Sequence, residues 1–302
     1  MMDSTYVPIM LRPGWVLERY YDWSVVEQGP TLKLLRKSRG PIATFLLLTR
    51  GASEEEIADT ARWHGLLGWR SIVVFRDFSS DSENGIRVIA GVQFRRVTTG
   101  RWFGVGTFVV DLSQTLDTLW RRIAPRERGK CRRAEHLGIK VEFDEHPSER
   151  ALDAFLGLYG RMARKRGLER PRRRTLEEMF TRGNLLMARC FDPSGQNLVI
   201  NLIYLSNGQG YYLHGARADG IAAGAGHFTQ WETVRMLKTM GFRYYDLGLV
   251  SSRDASDGIY RFKGSLGGSF VDFGREFECV PVGLRAAYGV FHILRTRVRK
   301  VA

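Results

Sequence analysis

The chain has only three cysteines in 302 residues, at 131, 190 and 279. None stands in a Cys-x-x-Cys or Cys/His spacing, which excludes a zinc scaffold and a disulfide framework and predicts reduced, structural thiols. Long apolar runs are missing as well: no stretch approaches the roughly 20 residues of a membrane-spanning helix. The opening segment, MMDSTYVPIMLRPGWVLERYYDW, is broken by Pro8, Pro13 and charges, unlike the apolar centre of a secretory signal. A cytoplasmic location is therefore expected. There is no Gly-x-Ser-x-Gly elbow, and the six histidines (64, 136, 146, 214, 227, 292) fall at unrelated points, so neither a serine nucleophile nor a metal site is legible. Acid is the scarce charge. Against 46 Lys and Arg stand 32 Asp and Glu, a formal net charge of +14 that favours contact with a polyanion.

What is present is a globular composition. Hydrophobic residues at 44% and aromatics at 12% are enough for a sizeable core, and the length suits two ordinary domains or one large one. PIATFLLLT (41–49), SIVVFRDF (71–78), GIRVIAGVQFRRV (85–97) and GTFVVDL (106–112) read as strands. EEEIADTARWHGLLGW (54–69) has helical spacing at Ile57, Ala61 and Leu66–Leu67. Residues 113–138 read as a helical stretch opened by Ser113 as N-cap, closed by Gly138 and divided at Pro125.

IKVEF (139–143) follows as a strand, and SERALDAFLGLYGRMARKRG (148–167) as a helix. NLLMARCF (184–191), NLVINLIYLS (197–206) and GYYLHGA (210–216) are strands, the last two joined by NGQG as a hairpin. TQWETVRMLKTMG (229–241) begins with a Thr-x-x-Glu capping box, and RYYDLG (243–248) is a further strand. Strands alternating with helices in both halves predict two related α/β units.

Two basic runs stand out. Between Arg121 and Arg133 seven basic residues face the single acid Glu127, and RMARKRGLERPRRR (161–174) sets eight against Glu169. Such runs are usually solvated helix faces, but two of them favour a surface for a nucleic-acid backbone or nucleotide phosphates. DGIYRFKGSLGG (257–268) sets Lys263 ahead of three glycines, in a segment that reads as too glycine-rich for a stable helix. The lysine is either solvated on a turn or held against a backbone that a ligand can approach closely.

Several pieces together resemble the FemABX family of aminoacyl-tRNA-dependent transferases: GTFVVDLSQTLDTLWRRIAPRERGKCRRAEHLGIKVEF, FLGLYGRMARKRGLERP, YYLHGA, QWETVRMLKTMGFRYYDLG and GIYRFKGSLGG. The resemblance spans roughly residues 105–275. It implies two tandem acyltransferase domains of the GNAT type, an α/β (α+β) architecture of mixed sheets flanked by helices. They are expected at 1–143 and 144–280, with a last helix in 281–302 packing back on the first. Several family members carry a coiled-coil arm for tRNA, and no segment here has room for one.

By the same resemblance Lys263 matches the lysine of the family's Phe-Lys motif and is the expected catalytic residue, with its ammonium at the oxyanion or a terminal phosphate. Phe262 would stack on a base, and Tyr260 belongs to the same segment. Arg170 stands where relatives have an arginine for an anionic acceptor, although Arg174 replaces a tyrosine found in some of them. Tyr212, on a strand where one of Tyr211 and Tyr212 faces a cleft, and Trp231, on the helix bordering the site, complete the substrate-binding candidates with Asp246 at the carboxyl end of its strand. Core packing for Tyr212 and Trp231 and turn capping for Asp246 are the competing readings.

The implied activity is transfer of an amino acid from aminoacyl-tRNA to an amine of a cell-wall peptide (peptidoglycan) precursor or a secondary metabolite, forming an amide. Aminoacylated tRNA is the co-substrate, with no further cofactor and no metal. An amine-bearing peptide or small molecule is the acceptor, and no obligate protein partner is implied. The charge leaves room for peripheral contact with an anionic lipid-linked precursor. Two alternatives stay open. One is an acyl-CoA-dependent N-acyltransferase, for which IAAGAGHFT (221–229) offers a Gly-x-Gly before a helix, with Ile221 where Gln or Arg is usual. The other is a non-catalytic RNA-binding protein, which would leave the Lys263 segment unexplained.

Overall fold

The computed structural model describes residues 6–11, 23–66, 68–78, 86–97, 104–220 and 224–285 together with Tyr288. The chain divides into two compact α/β units, Met1–Val105 with Asp272–Ala302, and Gly106–Val271.

The first unit holds β1 (Ser24–Gln28), β2 (Leu32–Arg39), β3 (Ile42–Thr49), β4 (Ser71–Asp77), β5 (Ile86–Ile89), β6 (Val92–Arg96) and, from far along the chain, β14 (Glu276–Cys279). Their order in the sheet is β1-β2-β3-β4-β14-β6-β5. Helix α1 (Glu54–Trp63) is capped by Ser53, whose side chain accepts from the Glu56 N–H, and crosses from β3 to the parallel β4. Its Ile57 and Ala61 pack on Leu47, Phe75, Phe94 and Phe277 of the sheet. Within the expected single strand 85–97, the described residues Ile86–Arg96 form a hairpin, because Ala90 (φ 49°) and Gly91 (φ 79°) turn the chain in the left-handed region.

The second unit runs β7 (Gly106–Asp111), α2 (Leu116–Arg122), α3 (Pro125–His136), β8 (Lys140–Asp144), α4 (Glu149–Arg166), α5 (Arg173–Thr181), β9 (Leu185–Phe191), β10 (Asn197–Ser206), β11 (Gln209–Arg217), α6 (Ala225–Thr239), β12 (Tyr244–Val250), α7 (Gly258–Gly264) and β13 (Ser269–Asp272). The sheet order is β13-β7-β12-β11-β10-β9-β8. Each unit thus has a mixed seven-stranded sheet that includes a parallel pair, β3 with β4 and β11 with β12.

Several boundaries differ from the sequence reading. A division after residue 143 would cut β7 and β8 from the sheet in which they pair with β12 and β9; the second unit begins at Gly106. Pairing between residues so distant along the chain leaves no local mark. Pro125 does divide the 113–138 stretch, but Thr115 caps α2, while Ser113 bonds to Asp111. Helix α6 starts at Ala225, so Thr229 is no cap: its hydroxyl donates back to the Ala225 carbonyl. The 257–268 segment contains a short helix, α7, because Asp257 accepts from the N–H groups of Ile259 and Tyr260 and offsets the glycines at its ends. Most of the expected helix in 281–302 lies outside the described residues; what the C-terminal segment contributes to the first sheet is β14.

Candidate functional site

Strands β11 and β12 pair at only three positions, Gln209↔Tyr244, Gly210↔Tyr245 and Tyr211↔Asp246. Past that point β11 follows β10 to Arg217, while β12 follows β7 to Val250. The two parallel strands therefore part toward their carboxyl ends, the place where α/β sheets admit ligands.

Lys263 of α7 is the charged side chain at this opening. It is 8% exposed. Its Nζ donates to the Leu249 carbonyl at 2.8 Å and lies 5.8 Å from the centroid of the Tyr212 ring. Burial lowers its pKa to about 8, against the opposing pull of the Asp246 and Asp257 carboxylates. Gly248 makes the close approach possible: with φ at 79°, a Cβ there would stand 2.7 Å from the Tyr212 carbonyl and 3.3 Å from Lys263 Nζ. Gly264 likewise lets α7 lie on β7, since a Cβ would meet the Phe108 ring at 3.1 Å.

Asp246 is fully buried behind this lysine. Its Oδ1 accepts from Thr107 Oγ1 at 2.5 Å and from the Gly248 N–H at 2.8 Å, and the Thr107 hydroxyl also lies 2.8 Å from the Gly248 carbonyl. Tyr212 points its hydroxyl at Asn201 Oδ1, 3.4 Å away, above Gly215, where any Cβ would collide with it. Burial pushes the Tyr212 phenol up to about 12 and Tyr245 well above the usual tyrosine range; Tyr245 donates to Gln230 Oε1 at 2.6 Å. These phenols are hydrogen-bond donors at neutral pH, not bases.

Lys263, Asp246 and Tyr212 thus come together, and the other candidates face different neighbours. Phe262 turns to α6, edge-on to His227 at 4.7 Å. Tyr260 joins Phe108 and Phe270, at 5.2 and 6.1 Å. Trp231 packs on Trp120 at 4.9 Å, binding α6 to α2, which is its packing reading. Arg170 is exposed on the connection from α4 to α5, with its guanidinium against Gly160. The expectation that only one of Tyr211 and Tyr212 meets the cleft needs amendment: a Cβ at Gly248 would lie 3.7 Å from the Tyr211 hydroxyl as well.

Thr107, Gly248, Asn201 and Gln230 escaped the sequence reading. Gly248, inside a strand pattern, carried a usable signal of close backbone approach; the others carried none. His214 packs edge-on against Tyr159 at 5.0 Å, and burial lowers its pKa to about 4, leaving a neutral ring. Among the described residues no cluster of three His, Cys, Asp or Glu could hold a metal, and no helix is long and apolar enough to cross a membrane. The basic runs lie on α2–α3 and on α4–α5. Arg121, Lys165 and Arg174 pair with Asp117, Asp219 and Glu178, all on exposed side chains worth little as ion pairs.

Helix α6 joins β11 to the parallel β12, and its first turn follows the carboxyl end of β11. The family model described as Acetyltransferase (GNAT) domain matches residues 120–264. Among solved structures the chain is similar to FemX, with 14% identity, a TM-score of 0.62 and coverage of 89% of this chain and 90% of that one. It is also similar to L-PGS from Bacillus licheniformis (14% identity, TM-score 0.57, 95% and 91% covered). A third similar structure is the C-terminal domain of a putative lysylphosphatidylglycerol synthetase from Agrobacterium fabrum (13%, 0.56, 90% and 88%). No curated protein matches the chain in sequence. The chain has a FemABX-like GNAT fold, in agreement with the resemblance in its sequence, and these findings support an acyltransferase.

Proposed function

We propose that the chain transfers an aminoacyl group from aminoacyl-tRNA to an amine of a cell-wall peptide precursor or a secondary metabolite, forming an amide bond. The observation that carries the reading is the buried ammonium of Lys263 at the gap between β11 and β12. Its charge stands where an acyl oxygen entering the gap would gather negative charge, in a place shielded from water. The amine attacks the ester carbon, the oxyanion forms against Lys263, and its collapse expels the tRNA hydroxyl. No enzyme nucleophile is required, only alignment and charge. The exposed arginines of α3 and α4 supply phosphate contacts for the acceptor arm. Arg170 and Phe262 belong to this proposal as binding residues for the acceptor and for a terminal base. A cytoplasmic site of action follows from the use of tRNA.

A second reading has its own support. The matching family model is an acetyltransferase domain, and α6 opens at Gly224 (φ 110°) with no side-chain cap, an end suited to a CoA pyrophosphate. Ile221, the other half of that comparison, lies outside the described residues.

One experiment separates the two. Purified protein is given total tRNA charged with labelled amino acids, a small-molecule extract as acceptor, and in parallel labelled acetyl-CoA. Label moving from tRNA into a small amide, lost with Lys263→Ala or RNase and weakened steeply by salt, is the expected outcome. Transfer from acetyl-CoA alone would replace the first reading with the second.

A further inference from the structure

Acyl transfer to an amine releases a proton, and neither Lys263 nor Asp246 is free to take it. Lys263 supplies positive charge, while Asp246 is fully buried and already accepts from Thr107 and Gly248. The first turn of α6 offers another group. Since α6 leads from the carboxyl end of β11 back to the start of β12, its first turn lies at the end where those strands part.

His227 stands in that turn, its side chain 13% exposed. Its Nε2 lies 3.2 Å from Glu127 Oε2 and 3.1 Å from Ser265 Oγ. The Ser265 hydroxyl gives its hydrogen to the Phe262 carbonyl at 2.7 Å, and the Glu127 carboxylate has none to give. Ser265 Oγ is therefore the acceptor for Nε2, and the carboxylate beside it cannot donate, so Nε2 carries the hydrogen of the neutral ring. Nδ1 is left with the free lone pair and makes no hydrogen bond among the described residues. The charged groups facing the ring are Glu127 and, bound to it at 2.7 Å, Lys130, both from α3. Helix α7 presents Phe262 and its C-cap Ser265, while Lys263 reaches away to Leu249.

We propose that His227 Nδ1 accepts the proton of the attacking amine, with Glu127 as the positioning residue that fixes the tautomer. The inference rests on the reading that the chain transfers acyl groups to amines, and holds for an ester or a thioester donor. The amine nitrogen bonds to the acyl carbon as its proton passes to Nδ1. The bond from that carbon to the donor oxygen or sulfur then breaks, and the leaving atom takes the proton back from the imidazolium. Burial keeps the ring below the usual histidine range against the pull of Glu127, with Lys130 adding to the lowering, so the base is unprotonated at neutral pH.

His227→Gln tests this, since its amide nitrogen can still donate to Ser265 beside the Glu127 carboxylate but cannot act as a base. The expected result is a kcat about 100-fold lower or more, little change in KM or melting temperature, and loss of the acidic limb of the pH–rate profile. Glu127→Gln should move that limb to lower pH, a shift that a purely structural role would not produce. Wild-type rate and pH profile in His227→Gln would overturn the proposal. Independently of turnover, 15N spectra of histidine-labelled protein, assigned by the signal lost in His227→Gln, should show an Nε2–H tautomer at pH 7. An Nδ1–H tautomer or a charged ring would overturn it even in an active enzyme. If the wild-type protein transfers from neither donor, the acyltransferase reading falls and takes the proton-acceptor role with it.

Discussion

Each unit contains a strand, a helix and a parallel strand, yet the two differ where the strands meet. In the first, β3 and β4 stay paired from Ala43↔Ser71 through Thr49↔Asp77. In the second, β11 and β12 separate after three pairs, and side chains take up the freed carbonyls: Thr107 lies on Gly248 O and Lys263 on Leu249 O. The buried charges follow the same division. Arg76 of β4 faces Glu276 of β14 at 3.0 Å, both fully buried, a matched pair on adjacent strands that stay paired. Lys263 bonds to a carbonyl and has no carboxylate within ion-pair distance among the described residues. A buried charge answered by its opposite suits a role in the fold; one left with spare attraction suits the ligand-facing role proposed for Lys263.

The sharpest way to break this comparison is Lys263→Met. Transfer should fall about 100- to 1000-fold in single-turnover assays, while the melting temperature does not fall. A lysine with its pKa depressed to about 8 in the fold, from 10.5, binds fewer protons than the unfolded chain between those values. Its burial therefore costs stability in full below about pH 8, on the order of 3 kcal/mol, and that cost is relieved as pH rises toward 10.5. Activity should move the opposite way and decline as pH passes through about 8. A lysine serving only the fold would show the reverse: a lower melting temperature in Lys263→Met with transfer intact.

Arg76→Met should do what Lys263→Met does not. It strands Glu276 in the sheet and should cost roughly 3–5 kcal/mol in denaturant unfolding, with most of the loss recovered in Arg76→Met/Glu276→Leu. Gly248→Ala should cost about 1–3 kcal/mol and reduce kcat/KM, because its Cβ meets the Tyr212 carbonyl. Gly51→Ala, equally left-handed (φ 73°) but in open space, should cost less and leave transfer unchanged. The smallest effect is expected from Tyr212→Phe, under tenfold in kcat/KM, since the lost hydroxyl gives up a long 3.4 Å contact with Asn201 and an interaction with Gln230, both neutral partners.

What the sequence made legible was mostly local. Ser148 and Gly167 bound α4 as the capping rules require, and Asn207–Gly208 turns the β10–β11 hairpin with φ values of 46° and 71°. Local rules misled where a second feature competed. Thr229 and Glu232 look like a capping box, but α6 had already begun four residues earlier against α3, where Gly224 admits the Lys130 carbonyl. Ala90 gave no sign of a turn because alanine seldom adopts a positive φ. Of the site, Lys263 and Asp246 were visible as candidates through their segments. Thr107, contributed by a strand 139 residues before Asp246, was not, nor was the wiring of His227 to Glu127 and Ser265. Contacts of that separation depend on register between strands and helices, which periodicity does not encode.

The placement of β14 between β4 and β6 also bears on the order in which the molecule can be made. Gly106–Val271 is one continuous stretch and leaves the ribosome ahead of Glu276–Cys279. The other unit must wait, with β4 and β6 exposing unpaired edges, until Glu276–Cys279 emerges. A stretch made earlier is thus completed only after one made later, and in that interval a chaperone or a neighbouring chain can reach those edges.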